Sequence, residues 1–360
     1  MHAIDLNLKY SESRVELAPD TKYWLSPTRL KLELSECDLP FQLAYQTWGK
    51  LNKTRDNAIL VVHALSGSAN LESWWPELIG PQKPLDPAKD FVICINLLGS
   101  CYGSSGPISS NPDSGQQWKI NFPKITIRDQ VRAQAALIRS LGIQKLRAII
   151  GPSLGGMIAL EWALREPELA GALILIATTA QHSAQAIANS SCQRAAIKLD
   201  PEYHEGYYPS EQQPKQGLAL ARQLAFITYR SNLEFTARFS RNEGKQQAFA
   251  IQDYLQHQGH KFTERFDANS YIRLSECMNS HDISHGFSNI ESALQAIQQP
   301  TLVISLEHDQ LYTYAEQAQL AEHIPNAAHE LIRTQYGHDG FLIETKSMGD
   351  ILQRFLKNIS

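Results

Sequence analysis

The heptad Gly151-Pro152-Ser153-Leu154-Gly155-Gly156-Met157 constrains this chain more than any other segment. It follows the apolar run Leu146–Ile150 and precedes Ile158–Ala163, which reads as a helix. The order is strand, tight turn, helix, with a serine at the turn. Small residues on both sides let the backbone bend and the helix approach the strand closely. A serine so placed is thrust out of the sheet. The N–H of the next residue and the helix N-terminus both favour developing negative charge. The competing reading is a merely structural Gly/Ser turn. The flanking strand and helix speak against it.

Such an elbow needs a large α/β core, and the length of 360 residues allows one, with an insertion. The charge balance, 33 Lys+Arg against 37 Asp+Glu with a formal net of -4, offers no basic excess for nucleic acid. The longest apolar runs, near Ala58–Leu65 and Gly171–Ala180, are too short to span a bilayer. Met1–Lys9 lacks the basic-then-apolar order of a signal peptide. Cys37, Cys94, Cys101, Cys192 and Cys277 are odd in number and scattered, with no C-x-x-C. They predict neither a disulfide framework nor a zinc site, but a cytoplasmic protein with reduced, mostly buried thiols. The pairs His257/His260 and His281/His285 have helix-compatible spacing, yet no third ligand is in view. They read as solvated or core histidines, and no metal is expected.

Short apolar or β-branched runs read as strands at Phe41–Trp48, Ala58–His63, Phe91–Asn96, Leu146–Ile150, Ala172–Ala177, Thr301–Leu306 and His329–Arg333. Helical patterns fall between many of them, as at Asp129–Leu141, Met157–Arg165 and Tyr314–His323. This alternation predicts a mostly parallel, doubly wound sheet. The first runs have no helix between them, so an antiparallel start is expected. From about Thr178 to Gln299 the chain is helix-like and polar, with helical spacing at Leu218–Thr228 and Ala248–Leu255. The expected organisation is therefore a core of residues 1–178 and 300–360 with a helical cap at 179–299. Such a cap covers the sheet edge where open α/β folds bind ligands.

A serine hydroxyl becomes a nucleophile only when a base takes its proton, and the base needs a third group to hold it. On this fold the chain order is Ser, Asp/Glu, His. Asp309 falls just past the strand Thr301–Leu306, and His338 lies in the loop Tyr336-Gly337-His338-Asp339-Gly340 before a final helix. Glu307 competes for the acid role. Asp309 could also serve merely the start of the Tyr314–His323 helix. The oxyanion hole requires a second N–H from the loop after an early strand. The segment Val61–Ser68 fits, with Leu65 N–H paired to Leu154 N–H, and His63 read as structural.

These residues resemble those of the homoserine O-acetyltransferases, acyltransferases of the α/β-hydrolase superfamily. The matching segments are His63–Gly67, Asn96–Pro107, the serine elbow, Ala221-Arg222, Thr228–Ser231, Arg265–Tyr271 and Tyr336–Leu342. The resemblance implies an α/β-hydrolase fold with a helical cap. It also implies transfer of acetyl from acetyl-CoA to the hydroxyl of L-homoserine, a step of methionine synthesis, with acetyl-CoA as co-substrate and no resident cofactor. It places the nucleophile on Ser153, the acid on Asp309 and the base on His338, with Arg222 and Asp339 as substrate ligands. It further implies a homodimer through the cap helices. The chemistry agrees: arginine grips a carboxylate bidentately, and a carboxylate beside the histidine can hold an ammonium.

Three positions depart from the family pattern. Pro152 and Ser100 stand where glycine is common, and Tyr312-Thr313 replace a common Phe-Pro. Related sequences transfer succinyl or use L-serine. In succinyl-using homoserine relatives an arginine commonly follows the triad Asp by two residues, where this chain has Leu311. An apolar Leu311 near the acyl group would favour acetyl. A single methylene separates serine from homoserine and discriminates weakly. A plain esterase on the same fold would need neither Arg222 nor Asp339.

Overall fold

The computed structural model describes residues 17–36, 38–246 and 248–359, so the readings of Met1–Lys9 and of the Cys37 thiol lie outside the described residues. Strands β1 (Lys22–Leu25), β2 (Gln42–Trp48), β3 (Ala58–Val61), β4 (Phe91–Ile95), β5 (Leu146–Pro152), β6 (Leu173–Ile176), β7 (Thr301–Leu306) and β8 (Ala327–Ile332) form one eight-stranded sheet. Its order is β1-β2-β4-β3-β5-β6-β7-β8. The pairs β1/β2 and β2/β4 are antiparallel, and all others are parallel. The antiparallel start is as expected. The extra strand β1 escaped the sequence reading because its short KYWL segment is mostly exposed and shows no apolar alternation.

Every residue of β3, β6 and β7 is buried. Such unbroken apolar strands arise where both faces of a sheet are covered. Leu60 and Val62 point into one apolar layer with Val131 and Leu160, while Ile59 and Val61 point into another with Leu302, Met348 and Leu352. Helices α1 (Ile127–Ser140) and α2 (Leu154–Arg165) cover the first face. The last long helix covers the second, burying Met348, Ile351, Leu352 and Leu356 as one stripe.

Between β6 and β7 the chain adds α3 (Ala184–Lys198), α4 (Lys215–Tyr229), α5 (Asn232–Arg238), α6 (Ala250–Thr263), α7 (Ala268–Asn279) and α8 (Ile290–Gln295). Helices α3, α4, α6 and α7 pack on one another, and α4 touches the turn that carries His338. Helix α8 packs instead on α9 (Tyr314–His323), beside the sheet. The mutually packed cap helices thus end with α7, short of residue 299. Leu218, Phe262 and Tyr271 from these helices join the same apolar cluster as Leu60 and Leu160. Cap and sheet share one core, which fixes the cap over the strand ends. After β8 come α10 (Gly340–Ile343) and α11 (Thr345–Asn358). Among the described residues no helix is long and apolar enough to cross a membrane.

Candidate active site

Ser153 sits between β5 and α2 with φ 54° and ψ -121°. A non-glycine residue there is strained, and the strain persists because the surroundings dictate it. Ser153 N–H donates to Ile176 O on β6 at 2.9 Å, and Thr178 Oγ1 donates to Ser153 O at 2.8 Å. The neighbouring small residues are required by space. A Cβ at Gly155 would meet Val62 O at 2.0 Å, and one at Gly151 would meet the Gly155 backbone at 2.1 Å. Gly155→Ala is therefore expected to lower stability by about 1–3 kcal/mol or more by overpacking. The check is a lower denaturant midpoint at unchanged slope.

His338 is positioned by a short turn, Gly337–Asp339, that begins at Gly337 with φ 63°. A Cβ on Gly337 would press on Ser231 N at 3.1 Å and His308 O at 3.2 Å, so this glycine lets the turn approach both the cap and the acid loop. Ser231 Oγ, which caps α5, also donates to Gln335 O. Ser153 Oγ–H donates to His338 Nε2 at 2.9 Å, and His338 Nδ1–H donates to Asp309 Oδ2 at 2.7 Å. This direction of donation puts the histidine proton on Nδ1. The Leu311 and Tyr312 N–H groups donate to Asp309 Oδ1 at 2.9 and 3.1 Å, and Gln317 Nε2 donates to Oδ2 at 3.3 Å. Asp309 therefore serves the histidine and not a helix start. Thr313 caps α9, with Glu316 completing the capping box. Glu307 makes no contact with His338 among the described residues; its N–H pairs with Ile332 O.

Burial pulls the His338 pKa down, but the Asp309 charge, the Asp309 hydrogen bond and the Asp339 charge outweigh it and raise the histidine above its ordinary value. Tyr229, Tyr312 and Phe341 surround the ring at centroid distances of 5.7, 5.4 and 5.7 Å. His63 behaves differently. Burial lowers it to about 4, opposed by its hydrogen bond to the Ala64 carbonyl. Its Nδ1–H donates to Ala64 O at 2.8 Å and its Nε2 accepts from Leu97 N–H at 3.3 Å, so it is a neutral structural residue. The Gly67 N–H also reaches Ala64 O at 2.9 Å. Both bonds orient the Ala64–Leu65 peptide. The N–H groups of Leu65 and Leu154 have no acceptor among the described residues, as an oxyanion hole requires.

Ser153 and His338 open on a cavity of about 610 Å³, walled also by Leu65, Ser66, Arg222, Arg265 and Asp339. The Arg222 guanidinium lies 4.7 Å from the ring centroids of both Phe226 and Phe262, with Nη1 3.4 Å from Ser66 Oγ. No carboxylate pairs with it among the described residues. An arginine stacked on aromatic faces keeps its hydrogen-bonding edge for a ligand. Asp339 forms an ion pair with Arg230, Nε to Oδ2 2.9 Å, and Arg230 also donates to Glu234 at 3.1 Å. Asp339 Oδ1 has no hydrogen-bond partner among the described residues.

Leu311 is the exception among the expected site residues. Its side chain is half-buried against the main apolar cluster and does not line the cavity. The reason is local: the backbone of Leu311 and Tyr312 curls back to hydrogen-bond Asp309, which sets where the side chain goes. Arg273 likewise stays outside, donating to Ile120 O, Phe122 O and Glu276. Conversely, Ser66, Tyr229 and Arg265 line the cavity without having been assigned roles from sequence. All three lie in segments that carried the family resemblance, which was the available signal. Among the described residues no group of three His, Cys, Asp or Glu is placed to hold a metal ion.

A serine hydrogen-bonded to a histidine at a strand–helix elbow, beside two unbonded N–H groups and opening on a cavity, defines an acyl-handling enzyme of the α/β-hydrolase class. A family model described as the alpha/beta hydrolase fold matches residues 57–345. The chain is 47% identical over 345 residues, 96% of each chain, to the homoserine O-acetyltransferase of Trichormus variabilis. Its structure resembles that of homoserine O-acetyltransferase from Bacillus anthracis at 28% identity and TM-score 0.87, over 94% of this chain and 98% of that one. Esterase E22 is also similar, at 26% identity and TM-score 0.86, over 93% of this chain and 99% of that one. The chain belongs to the homoserine O-acetyltransferase family.

Proposed function

We propose that the chain transfers an acetyl group from acetyl-CoA to the side-chain hydroxyl of L-homoserine through an acetyl-Ser153 intermediate. The observation that carries this reading is the continuous Asp309–His338–Ser153 hydrogen-bond chain opening on a cavity that also holds Arg222 and Asp339. Ser153 attacks the thioester carbonyl while His338 takes its proton. The oxyanion is held by Leu65 and Leu154 N–H, and CoA leaves as the thiol. The acceptor then enters, with its carboxylate on Arg222 and its ammonium on Asp339. His338 takes the acceptor's hydroxyl proton, and the acetyl group moves over. Both substrates are small molecules.

Free CoA release, measured for acetyl-CoA and succinyl-CoA against homoserine and serine, tests the reading. Acetyl-CoA with homoserine is expected to be fastest. With Leu311 away from the cavity, the choice of acetyl rests on the likeness to enzymes named as acetyltransferases. The likeness to esterase E22 supports a second reading, ester hydrolysis at the same serine. Hydrolysis of simple acetyl esters that homoserine does not divert would favour it.

Arg222→Lys keeps the charge but loses the planar fork. It is expected to lower kcat/KM for homoserine about ten- to a hundredfold. Single-turnover acetylation should stay within about threefold of wild type. Equal loss in both half-reactions would assign Arg222 to CoA or to structure.

The enzyme is further proposed to be a cytoplasmic homodimer joined through its cap. Exposed Leu220 and Ile227 on α4 and Leu233 on α5 support the dimer, and the free thiols Cys94, Cys101, Cys192 and Cys277 support the compartment. Light scattering at assay concentration should report twice the chain mass.

A further inference from the structure

Arg265 lies in the turn between α6 and α7 and reaches from the cap to the loop that carries Leu65. Both hydrogens on its Nη1 are taken. One goes to Ser66 O at 2.8 Å and the other to the Tyr102 hydroxyl at 2.9 Å. The Tyr102 hydroxyl in turn donates to Arg265 O at 3.0 Å, so the side chain and backbone of Arg265 are tied together through it. Burial pushes the Tyr102 phenol up to about 12, and it keeps the proton it donates. The Phe262 ring lies 5.0 Å from the guanidinium. Arg265 is therefore held in one place although it is an exposed residue.

The group that Arg265 grips is one end of a chain of peptides. A peptide unit accepts at the carbonyl of one residue and donates at the N–H of the next. The Ser66 carbonyl shares its peptide with Gly67 N–H, which donates to Ala64 O at 2.9 Å. The Ala64 carbonyl shares its peptide with Leu65 N–H, the donor read above as half of the oxyanion hole. Three donors thus stand in series: Arg265 Nη1–H, Gly67 N–H and Leu65 N–H. Each bond in such a series strengthens the next. Water screens an exposed charge acting through space, so the influence of Arg265 depends on this bonded route. The rest of the loop is fixed by neutral groups. Trp74 Nε1–H donates to Ser68 O at 3.0 Å, and Ala69 N–H donates to Asn96 Oδ1 at 2.7 Å. Among the described residues Arg265 is the one charged group bonded to a peptide of this loop.

We propose that Arg265 is a positioning residue of the oxyanion hole: bonded to Ser66 O from the cap, it orients and polarises the peptides that end at Leu65 N–H. Negative charge gathers on the thioester oxygen in the first half-reaction and on the acetyl-Ser153 oxygen in the second. The same N–H faces both, so Arg265 assists both. Arg265 touches neither oxygen, and its effect passes wholly through the loop.

The inference rests on the reading of Leu65 and Ser153 given above, and the test separates it from the proposed function. Acetylation of Ser153 is followed by rapid mixing with acetyl-CoA and with a small chromogenic acetyl ester, and transfer with homoserine. Arg265→Met keeps the aliphatic stem against Phe262 but loses the donors. It is expected to slow all three by about tenfold, less than the 10²- to 10³-fold lost when an oxyanion donor is removed outright. KM for homoserine and the thermal midpoint should stay near wild type. A trifluoromethyl ketone, whose adduct with Ser153 places an oxyanion in the hole, should bind Arg265→Met weaker by the same factor. Arg265→Lys keeps a charged donor and should recover most of the loss. A loss with acetyl-CoA alone, with the ester rate intact, would overturn the inference and assign Arg265 to CoA. Rates within about twofold of wild type, or slower rates with unchanged ketone affinity, would overturn it as well. A lysine variant as slow as the methionine one would overturn the part given to the charged donor. A wild-type protein that reacts with the ester but not with acetyl-CoA would refute the proposed function, while the ester rates and the ketone would still decide this inference.

Discussion

Replacing Ser153 by alanine is expected to abolish the acetyl-enzyme and to lower turnover by about 10⁶-fold, the scale found when a triad nucleophile is removed. Intact-protein mass spectrometry after mixing with acetyl-CoA should show one added acetyl group on the wild type and none on Ser153→Ala. The size of the effect follows from the geometry. Ser153 Oγ is the oxygen that His338 Nε2 reaches at 2.9 Å, and the unbonded N–H groups of Leu65 and Leu154 flank the turn that presents it. Without Oγ those N–H groups still polarise a bound carbonyl, which leaves the residual rate, but no ester can form. The fold should be untouched, because the strain at Ser153 belongs to the backbone and alanine adds no atoms. Retained turnover by Ser153→Ala would remove the ping-pong mechanism and point to direct transfer between the two substrates.

The parts of the site legible in the sequence are those that local chain geometry dictates. Ser153 was legible because Gly151 and Gly155 admit no Cβ, and that demand is written as small residues at fixed spacing. Asp309 and His338 were legible because they follow strands β7, which is buried throughout, and β8, and the fold's chain order assigns their roles. Arg222 and Asp339 had no local signature and entered only through the family resemblance. What no pattern announced is set by tertiary approach. Arg230 reaches Asp339 from the end of α4, and His182 reaches Tyr312 from the loop after β6. Leu311 shows the converse error. Its position two residues after Asp309 was right, but side-chain direction in a loop follows the backbone hydrogen bonds, and these turn it to the core. The mostly exposed strand β1 was invisible for the opposite reason, since an edge strand buries too little to impose a pattern.

Asp309→Asn is expected to reduce acetylation by about 10⁴-fold, the scale of the equivalent change at another Ser–His–Asp site, although asparagine fills the same space. Asp309 Oδ1 accepts from Leu311 and Tyr312 N–H, so the asparagine oxygen must take that place. Its NH₂ group then falls where Oδ2 stood, facing His338 Nδ1–H and the Gln317 amide, and donor meets donor. The histidine escapes by moving its proton to Nε2, where it can no longer accept from Ser153. The pH profile separates this from simple misfolding. Burial alone would depress His338, and it is the Asp309 charge and hydrogen bond, with Asp339, that hold it above 6.5. Only the neutral histidine acts as base, so wild-type acetylation should rise with pH through a pKa above that value. In Asp309→Asn the larger supporting charge is gone and burial prevails. The residual rate should therefore rise through a pKa lower than that of the wild type. Single-turnover acetylation measured from about pH 5 to 9 reads both quantities. A profile that stays in place while the rate falls would mean that Asp309 orients the ring without setting its charge.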